Sequence, residues 1–224
     1  MNRTTFAAAL AAGLAAATLA LAHGDVAPQA VDTANLPELG EEWLTENPYR
    51  QGAVDDETWH EALRVGASGY TQNCARCHGL EGVSGGLAPD LRFLEAEEFG
   101  DEWYVERFQH GYTQNGITKM PAFGEVLGQE AGWAIRTYIE TRPDDATITE
   151  LTPELAAIRD DLAAGGDGAA AQAELAEIAE GIETLSGAET ADSIAWRAAA
   201  LLEEDPSKTA EAAEILTIGL SAAK

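Results

Sequence analysis

The chain has 224 residues, and 39 acidic side chains against 13 basic ones leave a formal net charge of −26. Nucleic acid and anionic membrane surfaces both need a basic patch, so neither class of partner suits this chain. Only two cysteines are present, too few for a disulfide scaffold, and the length suits one or two small domains.

Residues 1–22 read as a secretory signal peptide. Arg3 supplies the basic start, an apolar run extends from Phe6 to Leu21, and Ala20 and Ala22 make an A-x-A-like cleavage site. Cleavage after Ala22 would place a protein with no remaining membrane span in the periplasm, starting at His23. A terminal His can chelate copper, but without a second His in place it reads as a solvated terminus.

Residues 23–57 form an extended N-terminal arm, marked by Pro28, Pro37 and Pro48, with Trp43 and Tyr49 as its anchors. Arg50 reads as a surface residue within reach of a haem propionate. A helix begins at Thr58, capped by Asp55 or Asp56, with Trp59, Ala62, Leu63, Gly66 and Tyr70 on one face. Gly66 weakens that helix, which a close helix crossing would explain. The partner is a second apolar face over residues 129–141, with Trp133 and Tyr138 bulky enough to pack across the glycine.

Cys74-Ala75-Arg76-Cys77-His78 holds both thiols of the chain. A C-x-x-C-H run is an attachment site for one covalent haem (heme c). Two thiols about a helical turn apart can add to the porphyrin vinyl groups, and His78 then offers an imidazole nitrogen to the iron. A redox pair would need a βαβ context, and a zinc site would need more ligands; neither is present. After His78 come Gly79, Gly82, Gly85 and Gly86, a loop that leads to Pro89, where a carbonyl can accept the second imidazole proton of His78. Arg92 either pairs with a propionate or is solvated.

A further helix is expected from Glu97 to Gly111, capped by Asp101, with Trp103, Tyr104, Val105 and Phe108 facing inward. Asn115-Gly116 then marks a tight turn. Met120, in Thr118-Lys119-Met120-Pro121, is the only methionine after the leader and the leading candidate for sixth iron ligand. His60 and His110 compete for that position. His/Met ligation fills both axial positions and suits electron transfer.

The order of Gly66, Cys74-Ala75-Arg76-Cys77-His78-Gly79, Ala88-Pro89-Asp90-Leu91, Lys119-Met120-Pro121 and Tyr138 resembles a class I cytochrome c over residues 58–145. The resemblance implies an all-α fold around one haem, with Cys74 and Cys77 attached, His78 and Met120 as axial ligands, and Pro89 giving its carbonyl to His78. More narrowly, the 23–32 stretch, Asn47-Pro48-Tyr49-Arg50 and Asn73-Cys74-Ala75-Arg76-Cys77-His78-Gly79-Leu80 resemble the cytochromes c-550 found with PQQ-dependent alcohol dehydrogenases. This implies a periplasmic carrier with such a dehydrogenase as donor, and a terminal oxidase or another cytochrome as acceptor.

Residues 146–224 depart from that pattern. They form an Ala/Glu-rich acidic extension with Trp196 as its one aromatic. Helices are expected at 153–164, 169–185, 188–204 and 208–222, packed through alanines, with a weakly ordered tail as the alternative. Two function classes follow: an electron carrier, or a haem enzyme or ligand sensor of peroxidase-like kind working at a labile sixth position.

Overall fold

The computed structural model describes residues 28–222, so the leader expected over 1–22 and His23 lie outside the described residues. Helix α1 (Asp56–Asn73) starts where Asp55 accepts a hydrogen bond from the Thr58 amide at 2.9 Å. A single helical turn, α2 (Ala75–His78), follows it directly and stops at Gly79, whose φ of +80° disfavours any other residue. Then come α3 (Glu98–His110), a hairpin of β1 (Tyr112–Gln114) and β2 (Ile117–Met120), and α4 (Gly124–Glu140). The helical path of α4 is interrupted at Gly128, where φ is +78°. This hairpin is the only sheet among the described residues, and the fold is otherwise all-α.

Helices α1 and α4 cross at Gly66. A Cβ there would lie 2.0 Å from the Ala134 carbonyl oxygen and 2.8 Å from the Tyr138 Cβ, so only glycine allows the approach. Tyr70, Phe108, Trp133, Ile135 and Ile139 fill the core that this crossing creates. Helix α3 contributes Tyr104, Val105 and Phe108, while Trp103 is 39% exposed and lies under the Arg107 guanidinium. Trp103 therefore does not face inward as its spacing suggested: a cation–π contact holds it at the surface.

The arm is anchored as expected. Tyr49 is buried with its hydroxyl donating to the Pro37 carbonyl at 2.6 Å, and Trp43 packs 6.0 Å from the Phe108 ring. Arg50 is not an ordinary surface residue, because its guanidinium pairs with Asp101 at 2.9 Å and with Glu140 at 2.8 Å. Asp101 in turn is wholly buried and pairs with Arg136 at 2.8 Å. It does not cap α3, whose cap is Glu97. Buried charges need opposite charges close by, and this requirement draws Asp101 inward to tie arm, α3 and α4 together.

The rest of the chain forms α5 (Asp145–Ala163), α6 (Gly168–Glu180), α7 (Ile194–Glu204) and α8 (Thr209–Ala222). Leu155, Leu162, Leu175, Ala195, Ala198 and Leu202 are almost fully buried in a second core. Such packing is that of an ordered bundle, so the weakly ordered tail is set aside. The observed boundaries differ from the expected ones in two places. Helix α5 starts at the Asp144 cap, which leaves Pro153 inside the helix rather than at its first turn. Residues 181–193, expected to be mostly helical, instead run irregularly along the first core, where backbone partners there compete successfully with helical ones. Asp144 N donates to Glu183 O and Asp192 N to Thr141 O, at 2.9 and 2.8 Å. Trp196 completes the seam, with its ring 5.4 Å from Trp59 and 5.3 Å from His60.

Candidate haem site

The two cysteines stand at the junction of α1 and α2, where the Cys77 and His78 amides both donate to the Cys74 carbonyl, at 3.1 and 3.0 Å. One helical turn thus carries both sulfurs and presents His78 immediately after them. Neither thiol is in a disulfide. Burial, with a smaller push from Cys77, raises the Cys74 thiol to about 12. A redox-active pair requires the opposite, an acidified and accessible thiolate.

His78 Nδ1 lies 2.9 Å from the carbonyl oxygen of Pro89. A carbonyl can only accept, so Nδ1 carries the proton, and in the neutral imidazole that tautomer leaves Nε2 with its lone pair free for a metal. The loop that places this carbonyl is locked from within. The Ser84 hydroxyl donates to the Ala88 carbonyl, Gly86 N donates back to that hydroxyl at 2.9 Å, and Ser84 N reaches Asp90 at 3.4 Å. On the other side the Tyr70 hydroxyl donates to the Gly79 carbonyl at 2.8 Å. Helical spacing marked Tyr70 only as apolar, because a pattern of periods cannot show where a hydroxyl ends.

Arg92 is 8% exposed and already has partners. Its Nε and Nη2 clasp Asp90 at 3.0 and 2.9 Å, and Nη1 donates to Asp145 at 2.6 Å. Burial works to raise the Asp90 carboxyl, but the Arg92 hydrogen bonds outweigh it and hold the group below its usual range. Arg92 thus acts here as a clamp on the Pro89 loop, and its guanidinium is committed to carboxylates rather than free for a propionate.

Met120 closes β2 opposite Tyr112, and its side chain packs against the same apolar cluster as Cys74 and Ala75. Gly111 permits this placement, since a Cβ there would come within 2.4 Å of the Met120 carbonyl oxygen. Asn115 and Gly116, both with positive φ, make the tight turn between the strands. Of the competing ligands, His60 is exposed and lies against the Trp59 and Trp196 rings in tilted and edge-on contacts, and His110 ends α3 in an exposed position.

These residues fit a covalently held haem. The donor set is a prepared imidazole, a thioether and two unpaired thiols. In addition, apart from Leu44 and Ile218, every exposed large hydrophobic among the described residues falls between Leu80 and Val126, flanking the cysteine turn and the Met120 hairpin. Apolar side chains left exposed in the segments that carry the candidate ligands are what a haem or a docking partner would cover.

Comparison with known proteins agrees with that geometry. Residues 61–139 match the family described as cytochrome C oxidase, cbb3-type, subunit III. Cytochrome c550 of Pseudomonas aeruginosa is 53% identical over 130 residues, covering 58% of this chain and 88% of that relative. Two quinohemoprotein alcohol dehydrogenases of Pseudomonas putida, ADH-IIG and ADH IIB, are 32% and 33% identical over 84 residues, covering 38% and 37% of this chain but 11% of each of those longer proteins. No solved structure gives a significant match.

Proposed function

This chain belongs to the class I c-type cytochromes, an electron-transfer family and not an enzyme family, and from that premise we propose that it carries single electrons in the periplasm from a PQQ-dependent alcohol dehydrogenase toward a terminal oxidase or another cytochrome. In this reading one haem c is bound through Cys74 and Cys77, with His78 and Met120 as its axial ligands. When bound, the haem supplies a one-electron couple that exchanges electrons without opening a position to oxygen.

The chain's own residues do the rest. Pro89 orients the imidazole and keeps the proton on Nδ1, which makes Nε2 the better donor. Gly111 and the Asn115-Gly116 turn hold Met120 against the cluster that includes Cys74. The observation that carries this reading is the 2.9 Å contact of His78 with Pro89 inside a C-x-x-C-H turn. The donor is supported by the two quinohemoprotein alcohol dehydrogenases that share an 84-residue stretch with this chain. Export is supported by the basic, apolar and small-residue segments of residues 1–22. Among the described residues no helix is long and apolar enough to cross a membrane.

The test is spectroscopic. Met120→Ala in the oxidised, haem-loaded protein removes the weak near-infrared band of Fe–S(Met) bonding and admits cyanide readily. A band that persists in the variant would mean another sixth ligand. A parent protein that is already high-spin would favour a ligand-binding or peroxidase-like role. Purified quinoprotein alcohol dehydrogenase should reduce the parent, and failure to do so would remove that donor.

A further inference from the structure

Two ion-pair routes run from the C-terminal bundle to the two backbone segments that follow His78, the Gly79–Glu81 turn and the Pro89 loop. The first starts at Asp145, the opening residue of α5, which accepts from Arg92 at 2.6 Å while Arg92 clasps Asp90, the residue after Pro89. The second starts at Asp192 in the irregular stretch between α6 and α7. Asp192 pairs with Arg142 and, through two contacts at 2.5 and 2.6 Å, with Arg197.

Arg142 is 1% exposed and fully engaged. Its Nη1 meets Glu81 at 3.2 Å, its Nε donates to the Tyr138 carbonyl at 2.9 Å, and the guanidinium lies 3.9 Å over the Tyr138 ring. Tyr138 packs 5.3 Å from Tyr70, whose hydroxyl holds the Gly79 carbonyl. Glu81 has a φ of +56°, a conformation costly for a non-glycine residue, and its pairing with Arg142 helps to hold it there. Cytochrome c550 of Pseudomonas aeruginosa has 88% of its length matched by 130 residues of this chain, which leaves too little for such a bundle.

We propose that the C-terminal bundle is an intramolecular brace on the His78 side of the haem, with Asp145 and Asp192 as positioning residues that act through Arg92 and Arg142. The brace keeps the Pro89 carbonyl on Nδ1 and the Gly79–Glu81 turn in place, so the imidazole stays a strong donor and the ferric state is favoured. Loosening it weakens the donor and raises the reduction potential. The proposal rests on His78 being a haem ligand. Absence of haem would show in the absorption spectrum before any exchange is measured, so failure of the brace and failure of the haem assignment read differently.

The experiment uses the full, haem-loaded chain labelled with nitrogen-15. Exchange of the His78 Nδ1 proton is followed by NMR, and the potential by spectroelectrochemistry, in the parent, Asp145→Asn, Asp192→Asn and Glu150→Gln. The last removes an exposed charge from the same helix, at a residue in neither route. Asp145→Asn should speed exchange by about tenfold and raise the potential, Asp192→Asn should do so further, and Glu150→Gln should leave both at parent values. Asp192→Asn leaves two arginines facing a neutral amide, so if it does not fold, the surface variant Asp145→Asn decides alone. Parent values in Asp145→Asn would overturn the brace. So would an equal response to Glu150→Gln, because the effect would then be that of charge at a distance.

Discussion

At Gly66 the absence of one methyl group sets the position of two helices. A Cβ there would sit 2.0 Å from a backbone oxygen, and backbone cannot move aside as a flexible side chain can. Gly66→Ala is therefore expected to destabilise the protein by about 3 kcal/mol, read as a lower denaturant midpoint at an unchanged slope. An unchanged midpoint would mean that α1 and α4 can separate at no cost. The same scale shows what residue patterns conceal. Asp101 and Trp103 lie two apart on α3, and the pattern made one a cap and the other core. The structure reverses them, because Arg136 and Arg50 are available to a buried carboxylate and Arg107 to an exposed indole.

Among the elements, α5 departs furthest from its sequence signals. Pro153 suits a first turn, yet Asp144 caps the helix well upstream and the proline lies inside with its side chain exposed. Its missing amide removes one hydrogen bond, and its ring crowds the preceding turn. Pro153→Ala loses no buried contact and is expected to raise stability by about 1–3 kcal/mol, measured by chemical denaturation of the full chain. A loss of stability would show that the helix depends on the bend a proline imposes. The hairpin that presents Met120 was legible in part, since Asn115-Gly116 announced the turn. The strands were not, being too short to show alternation.

Across the whole molecule, the two cores meet along a seam of buried charge, backbone bonds and the Trp59–His60–Trp196 cluster. Burial alone would raise the Asp192 carboxyl, but Arg142 and Arg197 hold it below its ordinary value, as Arg92 does for Asp90. A carboxyl with a lowered native pKa adds stability at any pH above its unfolded value, near 4. That stability is lost as the pH falls from there through the native value. Urea unfolding across a pH series should accordingly show no contribution from these groups to pH dependence between 7 and about 5, and a decline below about 4. Asp192→Asn should flatten the acid limb; an acid limb as steep as the parent's would remove Asp192 from the account.

The amino-acid sequence by itself marked the residues proposed to hold the haem, because attachment needs particular atoms at short, fixed spacing: two thiols, an imidazole next to the second, and a proline carbonyl eleven residues beyond it, which the structure places on that imidazole. It also determined the α1–α4 crossing, since a glycine in a helix and a distant apolar face are both visible as patterns. Only the tertiary structure decided where Arg50, Arg92 and Arg142 find their carboxylates and that residues 181–193 leave the helical path. Those choices depend on which charges and backbone groups become neighbours across about forty residues or more, and periodicity along a chain carries no record of that.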